Sequence, residues 1–136
     1  MKNFYIFLPI LFFSSMLVLS KLDTDIQIKS DSIEFIEENN QINFFKNIEI
    51  NSDYINIKAE TAIYDDIEDV LSIIGKPSII KSTKANNIFD GRAEEIKFFS
   101  NEKIHLIGNA SMAYENISIS SNIIIFNPKT GKIFSE

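Results

Sequence analysis

The chain contains no cysteine among its 136 residues. That excludes disulfide staples, thiol nucleophiles and the acylated cysteine of a lipoprotein. Tryptophan is absent and histidine occurs once, at His105. A lone imidazole with no signalled partner or nucleophile is a poor basis for acid–base or triad chemistry. Positive charge is also in short supply, with 13 basic residues against 19 acidic and a net charge of −6. No basic stripe with interleaved aromatics offsets it, so an acidic surface that repels phosphate backbones excludes nucleic acid as a partner. Helix signals are missing after residue 20.

What is present begins with an apolar leader. Met1-Lys2 supplies a positive start, and Phe4 to Leu19 is mostly apolar, interrupted by Pro9 and Ser14-Ser15. The run is marginal for a membrane span of about 20 residues and typical of an export signal. Residues 1–20 are therefore expected to be a signal peptide, with Val18 and Ser20 as the small-residue site before Lys21, and residues 21–136 a single domain. An uncleaved anchor is the other reading. Losing one lysine with the leader leaves 12 basic against 19 acidic residues, a net charge of −7. An anionic amphiphile would then be held mainly by its apolar part.

The mature portion repeats itself. Ser30-Asp31-Ser32-Ile33-Glu34-Phe35, Ala59-Glu60-Thr61-Ala62-Ile63-Tyr64, Ala93-Glu94-Glu95-Ile96-Lys97-Phe98 and Ser121-Asn122-Ile123-Ile124-Ile125-Phe126 each place a small or polar pair before an alternating strand that ends in an aromatic. The aromatics at 35, 64, 98 and 126 lie 29, 34 and 28 residues apart. A period of roughly 30 signals stacked repeats with a continuous interior.

Within the repeats apolar residues alternate in short bursts: Ile26 and Ile28, Ile33 and Phe35, Ile42 and Phe44, Ile48 and Ile50, Ile55 and Ile57, Ile104 and Leu106, Ile117 and Ile119, Ile124 and Phe126. Strict alternation marks strands with one buried face. The opposite face carries Glu34, Asn43, Glu49, Asn56, Lys58, Lys97, His105 and Ser118. Turn chemistry occurs at Glu38-Asn39-Asn40, Asn51-Ser52-Asp53, Asp65-Asp66, Gly75-Lys76-Pro77, Ala85-Asn86-Asn87, Asp90-Gly91, Ser100-Asn101, Gly108-Asn109 and residues 127–131. The expectation is an all-β chain of about ten to twelve strands of four to eight residues. Ala59 to Asp69 is acidic enough to suggest a helix, but its match to the other copies argues for strand. A sheet with one greasy face must close on itself or on a second sheet. A folded two-sheet stack and a closed barrel both satisfy this, and the repeat period favours the stack.

Few constellations suggest chemistry. Asp65-Asp66 with Glu68-Asp69 lacks the spaced ligands around a glycine turn that a hard cation needs, and reads as a solvated loop. Gly75-Lys76-Pro77 and Gly108-Asn109-Ala110 open no helix, as a phosphate loop would. The row Phe35, Phe44, Tyr64, Phe98 and Phe126 reads either as ordinary core or as the lining of a lipid groove.

The ordered set Asp23-Thr24-Asp25-Ile26-Gln27-Ile28-Lys29-Ser30-Asp31, Asn47-Ile48, Ile55-Asn56-Ile57-Lys58-Ala59-Glu60, Gly75-Lys76-Pro77, Asp90-Gly91-Arg92-Ala93, Gly108-Asn109-Ala110 and Ser121-Asn122 leading to Lys129 resembles the LptA, or OstA-like, family of periplasmic lipopolysaccharide-transport proteins. The resemblance runs from Asp23 to about Ser135. It implies an open, twisted β-jellyroll that shields lipopolysaccharide acyl chains. It also implies an LptC-like inner-membrane partner at the N-terminal edge, an LptD-like outer-membrane translocon at the C-terminal edge, head-to-tail self-association, and no cofactor or catalysis. Carried over by position, the lipid-lining residues are Thr24, Ile26, Ile28, Phe44, Ile80 and Phe98, and the same parity adds Ile33, Phe35, Ile96, Ile124 and Phe126. Two departures stand out: no proline separates Asp-Thr-Asp from Ile-x-Ile, and the sequence ends about one strand before the longer members.

Three readings follow: a lipid-transport bridge, a membrane-anchored LptC-like partner of the same pathway, and an exported β-repeat filament without lipid. The strands from Ile26 to Ile36 and near Ile124 to Phe134 are expected to be the open edges, with Ile104 central. N-terminal sequencing of the exported protein should begin at Lys21. Recovery of the chain still starting at Met1 would favour the anchored reading.

Overall fold

Among the described residues, the computed structural model has eleven strands and one short 3-10 turn. It describes residues 26–53, 55–83, 89–100, 103–128 and 130–136, together with the backbone alone of residues 5–9 and 15–19. The strands are β1 (Tyr5–Pro9), β2 (Ser15–Leu19), β3 (Ile26–Ser30), β4 (Ser32–Ile36), β5 (Gln41–Asn51), β6 (Ile55–Asp65), β7 (Val70–Ser82), β8 (Phe89–Phe99), β9 (Ile104–Tyr114), β10 (Ile117–Phe126) and β11 (Ile133–Ser135). From β4 to β11 each strand pairs antiparallel with the next, a continuous meander. The sheet is open, not a closed barrel. The acidic stretch that tempted a helix lies within β6 and the turn after it, as the repeat match required.

Most strands are longer than the expected four to eight residues, because several supposed turns lie inside them. Gly75-Lys76-Pro77 falls within β7, Asp90-Gly91 within β8 and Gly108-Asn109 within β9. Gly75-Lys76-Pro77 and Gly108-Asn109 are places where the register slips. The ladder shifts between Phe45 and Ile48, Lys58 and Thr61, Ile74 and Ser78, Arg92 and Glu95, and Ser121 and Ile123. A bulge carries extra residues on one strand, bends it and sharpens its twist. These bulges lie side by side across the meander and form one bend line. The four small or polar pairs of the repeat (Ser30-Asp31, Ala59-Glu60, Ala93-Glu94 and Ser121-Asn122) all sit on it. Ala85-Asn86-Asn87 lies outside the described residues.

The bend divides each long strand between two layers. The first holds residues 32–36, 41–45, 61–65, 70–74, 95–99, 104–107, 123–126 and 133–135. The second holds 26–30, 48–51, 55–59, 78–82, 89–93, 110–114 and 117–121. Bulges also reset the phase of alternation, which is why it reads in short bursts. On β6 the buried residues are Ile55 and Ile57, then Ala62 and Tyr64; on β8 they are Phe89, Gly91 and Ala93, then Ile96 and Phe98. Without that phase change, half of β6, β7 or β8 would turn its apolar residues outward, whereas β5 and β9 keep one parity throughout.

Left-handed backbone and short polar links hold the bend. Lys46, Asn47 and Asn109 have positive φ, as does Gly108 at 86°. The Asn47 side chain donates to Asp31 at 2.8 Å, and the Asn109 side chain donates to Glu94 at 2.8 Å. Asparagine tolerates left-handed geometry better than most residues. Where the layers converge, the inward side chains are small: Ser30, Ser78, Ala93 and Ala110 are all buried. Gly75 is required for space, since a Cβ there would lie 2.7 Å from Ser78 Oγ.

The N-terminal edge needs correction, while the sheet does end at the expected C-terminal segment, on β11. The segment from Ile26 to Ile36 is two strands, β3 and β4, flanking a break at Asp31, and both pair with β5. Neither is bare in the full chain: β2 lies on β3 and β1 on β4, five residue pairs each. At the other end β11 covers residues 124–126, so the uncovered stretch of β10 among the described residues is 117–121, with Ile117 60% exposed. Ile104 is central, between β8 and β10.

Substituting Ala93→Leu at the bend should destabilise the fold by about 1–3 kcal/mol, the usual consequence of overpacking. Ser120→Ala on the exposed face should stay within about 0.5 kcal/mol. Urea denaturation followed by far-ultraviolet circular dichroism checks both, and an unchanged midpoint for Ala93→Leu would remove the tight-bend argument.

Candidate functional site

The residues with the strongest claim to function are the inward ones. Ile26, Ile28, Phe44, Ile80, Ile96, Phe98, Ile124 and Phe126 are at most 2% exposed and belong to a single apolar cluster. Ile33 joins them as a buried residue, while Phe35 is half-buried and packs against the cluster. Thr24 lies outside the described residues. The fold thus gathers ten of the eleven positions singled out in the sequence. Fully burying such a side chain is worth about 1.5–3 kcal/mol, so these residues also hold the fold together.

The cluster runs from β3 and β4 to β10. Opposite the bend the two layers meet along a seam that differs at its two ends. Toward the C-terminal end, Phe126 of the first layer packs edge-on against Phe89 of the second, with ring centroids 4.5 Å apart. Tyr114, also of the second layer, adds a contact at 5.9 Å. Aromatic pairs in this geometry add to the area they bury. The seam is sealed there. The sequence reading did not single out Phe89 or Tyr114, although Phe89 alternates with Gly91 and Ala93 on one face.

Toward β4, β5 and β6 the inward row comes to the surface. Phe35, Ile36, Ile42 and Tyr64, with Glu37, Asn40, Gln41 and Asp66, line a cavity of about 320 Å³. Phe35 and Ile42 are half-buried, whereas Tyr64 is 2% exposed. The two turns at this mouth are tied together, since the Asp66 backbone N–H donates to the Asn40 carbonyl at 3.0 Å. Tyr64 Oη donates to Asp69 at 2.7 Å. Burial, reinforced by that hydrogen bond and by the acidic turn, pushes the phenol well above its ordinary pKa. Asp65 accepts from the backbone N–H groups of Ile67 and Glu68 at 2.9 Å each and so shapes the turn. No group of His, Cys, Asp and Glu among the described residues is arranged to hold a metal.

The outward face is less polar than the sequence suggested. Glu34, Asn43, Glu49, Asn56, Lys58, Lys97, His105 and Ser118 are all at least partly exposed, but Ile63, Ile107 and Ile125 share that face, and Ile74 and Ile79 are 44% and 40% exposed. His105 is half-buried there, its ring 4.5 Å from that of Phe99. Burial, then the positive charges of Lys103 and Lys97, pull its pKa below 6.5.

Residues 27–132 match the family described as "LptA/(LptD N-terminal domain) LPS transport protein". No curated protein matches the sequence. Among solved structures, the chain is similar to LptH from Pseudomonas aeruginosa, described as the LptA-homologous periplasmic component of the lipopolysaccharide transport device. The two share 15% identity with a TM-score of 0.73, over 86% of this chain and 85% of that one.

Because the folded His105 holds its proton less tightly than the unfolded one, stability should be complete above pH 6.5 and fall as pH drops toward the folded pKa. Below that value its contribution becomes flat. Across this window the melting temperature of the protein should fall relative to that of His105→Gln as pH drops, and parallel curves would contradict the assignment.

Proposed function

This chain belongs to the LptA/LptD-N-terminal-domain family of lipopolysaccharide-transport proteins, and from that premise we propose that it is a periplasmic bridge carrying lipopolysaccharide acyl chains against its inward apolar face. It is a transport protein and not an enzyme. The single observation that carries the reading is the unbroken apolar interior of an open folded sheet, reaching from Ile26 on β3 to Phe126 on β10. Such an interior offers a greasy path from one end of the stack to the other. The interior is filled by its own side chains, so cargo enters by parting the layers at the seam. Ile26, Ile28, Ile33, Phe35, Phe44, Ile80, Ile96, Phe98, Ile124 and Phe126, with Thr24, are the proposed lining.

Residues 1–20 act as the export signal in this reading. Their removal bares the backbone donors and acceptors of β3 and β4 for an inner-membrane LptC-like partner, which adds by β-augmentation. At the other end, residues 117–121 and β11 offer an edge to an outer-membrane LptD-like translocon or to a second copy of the chain. Exposed strand edges are a hazard in an isolated protein and useful in a chain of bridges.

A photoreactive residue at Phe44 or Phe98 should crosslink lipopolysaccharide in cells, whereas one at Lys58, on the outer face, should not. Phe44→Asp should lose that lipid and also melt lower, because it exchanges a hydrophobic contribution of about 2–3 kcal/mol for a buried charge. Equal crosslinking from Phe44 and Lys58 would contradict an interior route.

A further inference from the structure

We propose that the leader is a self-made cap: while attached it occupies the edge of β3 and β4, and that edge accepts a strand of another chain only after the leader is removed. The inference deepens the preceding reading, on which it rests for what the bared edge is used for. Its first support is register. Tyr5–Pro9 runs antiparallel along the whole of β4, from Tyr5 opposite Ile36 to Pro9 opposite Ser32. Ser15–Leu19 does the same along β3, from Ser15 opposite Ser30 to Leu19 opposite Ile26. The two pieces part where β3 and β4 part, at Asp31. Every residue of β3 and β4 therefore has a leader residue opposite it.

The second support is the leader's own sequence, which reads as a further copy of the repeat. Ser14-Ser15 is a small, polar pair, and the register sets Ser15 beside Ser30 at the bend. Beyond it Leu17 stands opposite Ile28 and Leu19 opposite Ile26. On the other piece Leu8 stands opposite Ile33 and Ile6 opposite Phe35. Each apolar inward residue of the edge is thus matched to an apolar residue, and matched pairs across a ladder specify its register. Pro9 has no N–H to offer, which suits an outermost strand and discourages a further one. An export signal needs a positive start and an apolar run. Neither requirement places a polar pair at the bend or matches the leader to this edge.

The tether makes the cap hard to displace. Only residues 20–25 separate β2 from β3. A link that short sets an effective concentration on the order of millimolar. A strand offered by another chain competes against that while the leader is attached. Cut before Lys21, the leader becomes an ordinary ligand that dilutes away.

Two measurements test this. The chain has no cysteine, so engineered pairs report without interference. In the full chain with processing blocked, Val18→Cys with Gln27→Cys should oxidise to a disulfide. Val18→Cys with Lys29→Cys should not, because directly opposite residues lie within disulfide reach and an offset of two residues does not. The second measurement uses a fluorescent, lysine-tagged peptide of residues 5–19 as the probe strand. Fluorescence anisotropy should show it binding the processed, exported protein at least about tenfold more tightly than the full chain. A peptide of the same residues in scrambled order should bind neither form. Equal oxidation of the two cysteine pairs, equal binding of the probe to both forms, or equal binding of the scrambled peptide would overturn the proposal. Lipopolysaccharide crosslinking at Phe44 of the processed protein is scored separately. Failure of the cap leaves transport standing, and loss of crosslinking leaves the cap standing.

Discussion

Everything in this fold depends on the bend that crosses the sheet. A meander of long strands with one apolar face has no stable flat form in water, because that face needs a partner. Here the partner is the other half of the same strands. The bend is produced locally, by slipped registers and left-handed residues such as Lys46, Asn47 and Asn109. It is stabilised by side chains that link strands across it, Asn47 to Asp31 and Asn109 to Glu94. On β6, β7 and β8 the same line also resets alternation, so both halves of those strands face the shared interior.

Folding a sheet about a line fixes how its width varies. Near the bend the inward residues include the small Ser30, Ser78, Ala93 and Ala110, with Ile48 among them, and the far ends of the layers hold Phe89, Phe98 and Phe126. Large apolar groups therefore collect toward the seam, where they can be sealed or left accessible. At the C-terminal end Phe126 bridges to Phe89 and Tyr114 and seals it. At the β4–β6 end Phe35 and Ile42 have no such bridge among the described residues, and they line a cavity whose rim holds Glu37 and Asp66.

Much of this was legible in the chain. Alternation named Ile26, Ile28, Phe44, Ile104, Leu106, Ile124 and Phe126 as inward, and each is buried. The four-fold echo marked the bend through its small or polar pairs, although their meaning was hidden. A turn and a bulge use the same residues: glycine, asparagine and proline relax the backbone whether the chain then reverses or only kinks. Gly75-Lys76-Pro77 and Gly108-Asn109 read as turns for that reason. What separates the two is pairing to neighbouring strands, a long-range fact that a local pattern does not contain. The mouth was hidden for a similar cause, since Ile42 and Phe35 are ordinary inward residues until the turn at Glu37–Asn39 places carboxylates beside them.

The edges inherit the bend as well. β3 and β4 are separate strands on either side of Asp31, yet both hydrogen-bond to the one long strand β5. A strand added outside them therefore has two short ladders to satisfy, set at an angle, and not one straight ladder. In the full chain β2 and β1 meet this demand as two five-residue pieces, one on each side of the break. A single straight strand of ten residues could satisfy only half of the exposed donors and acceptors. Backbone shape alone therefore favours along this edge a strand that slips its own register where Asp31 interrupts it, which continues both layers, over one that runs straight.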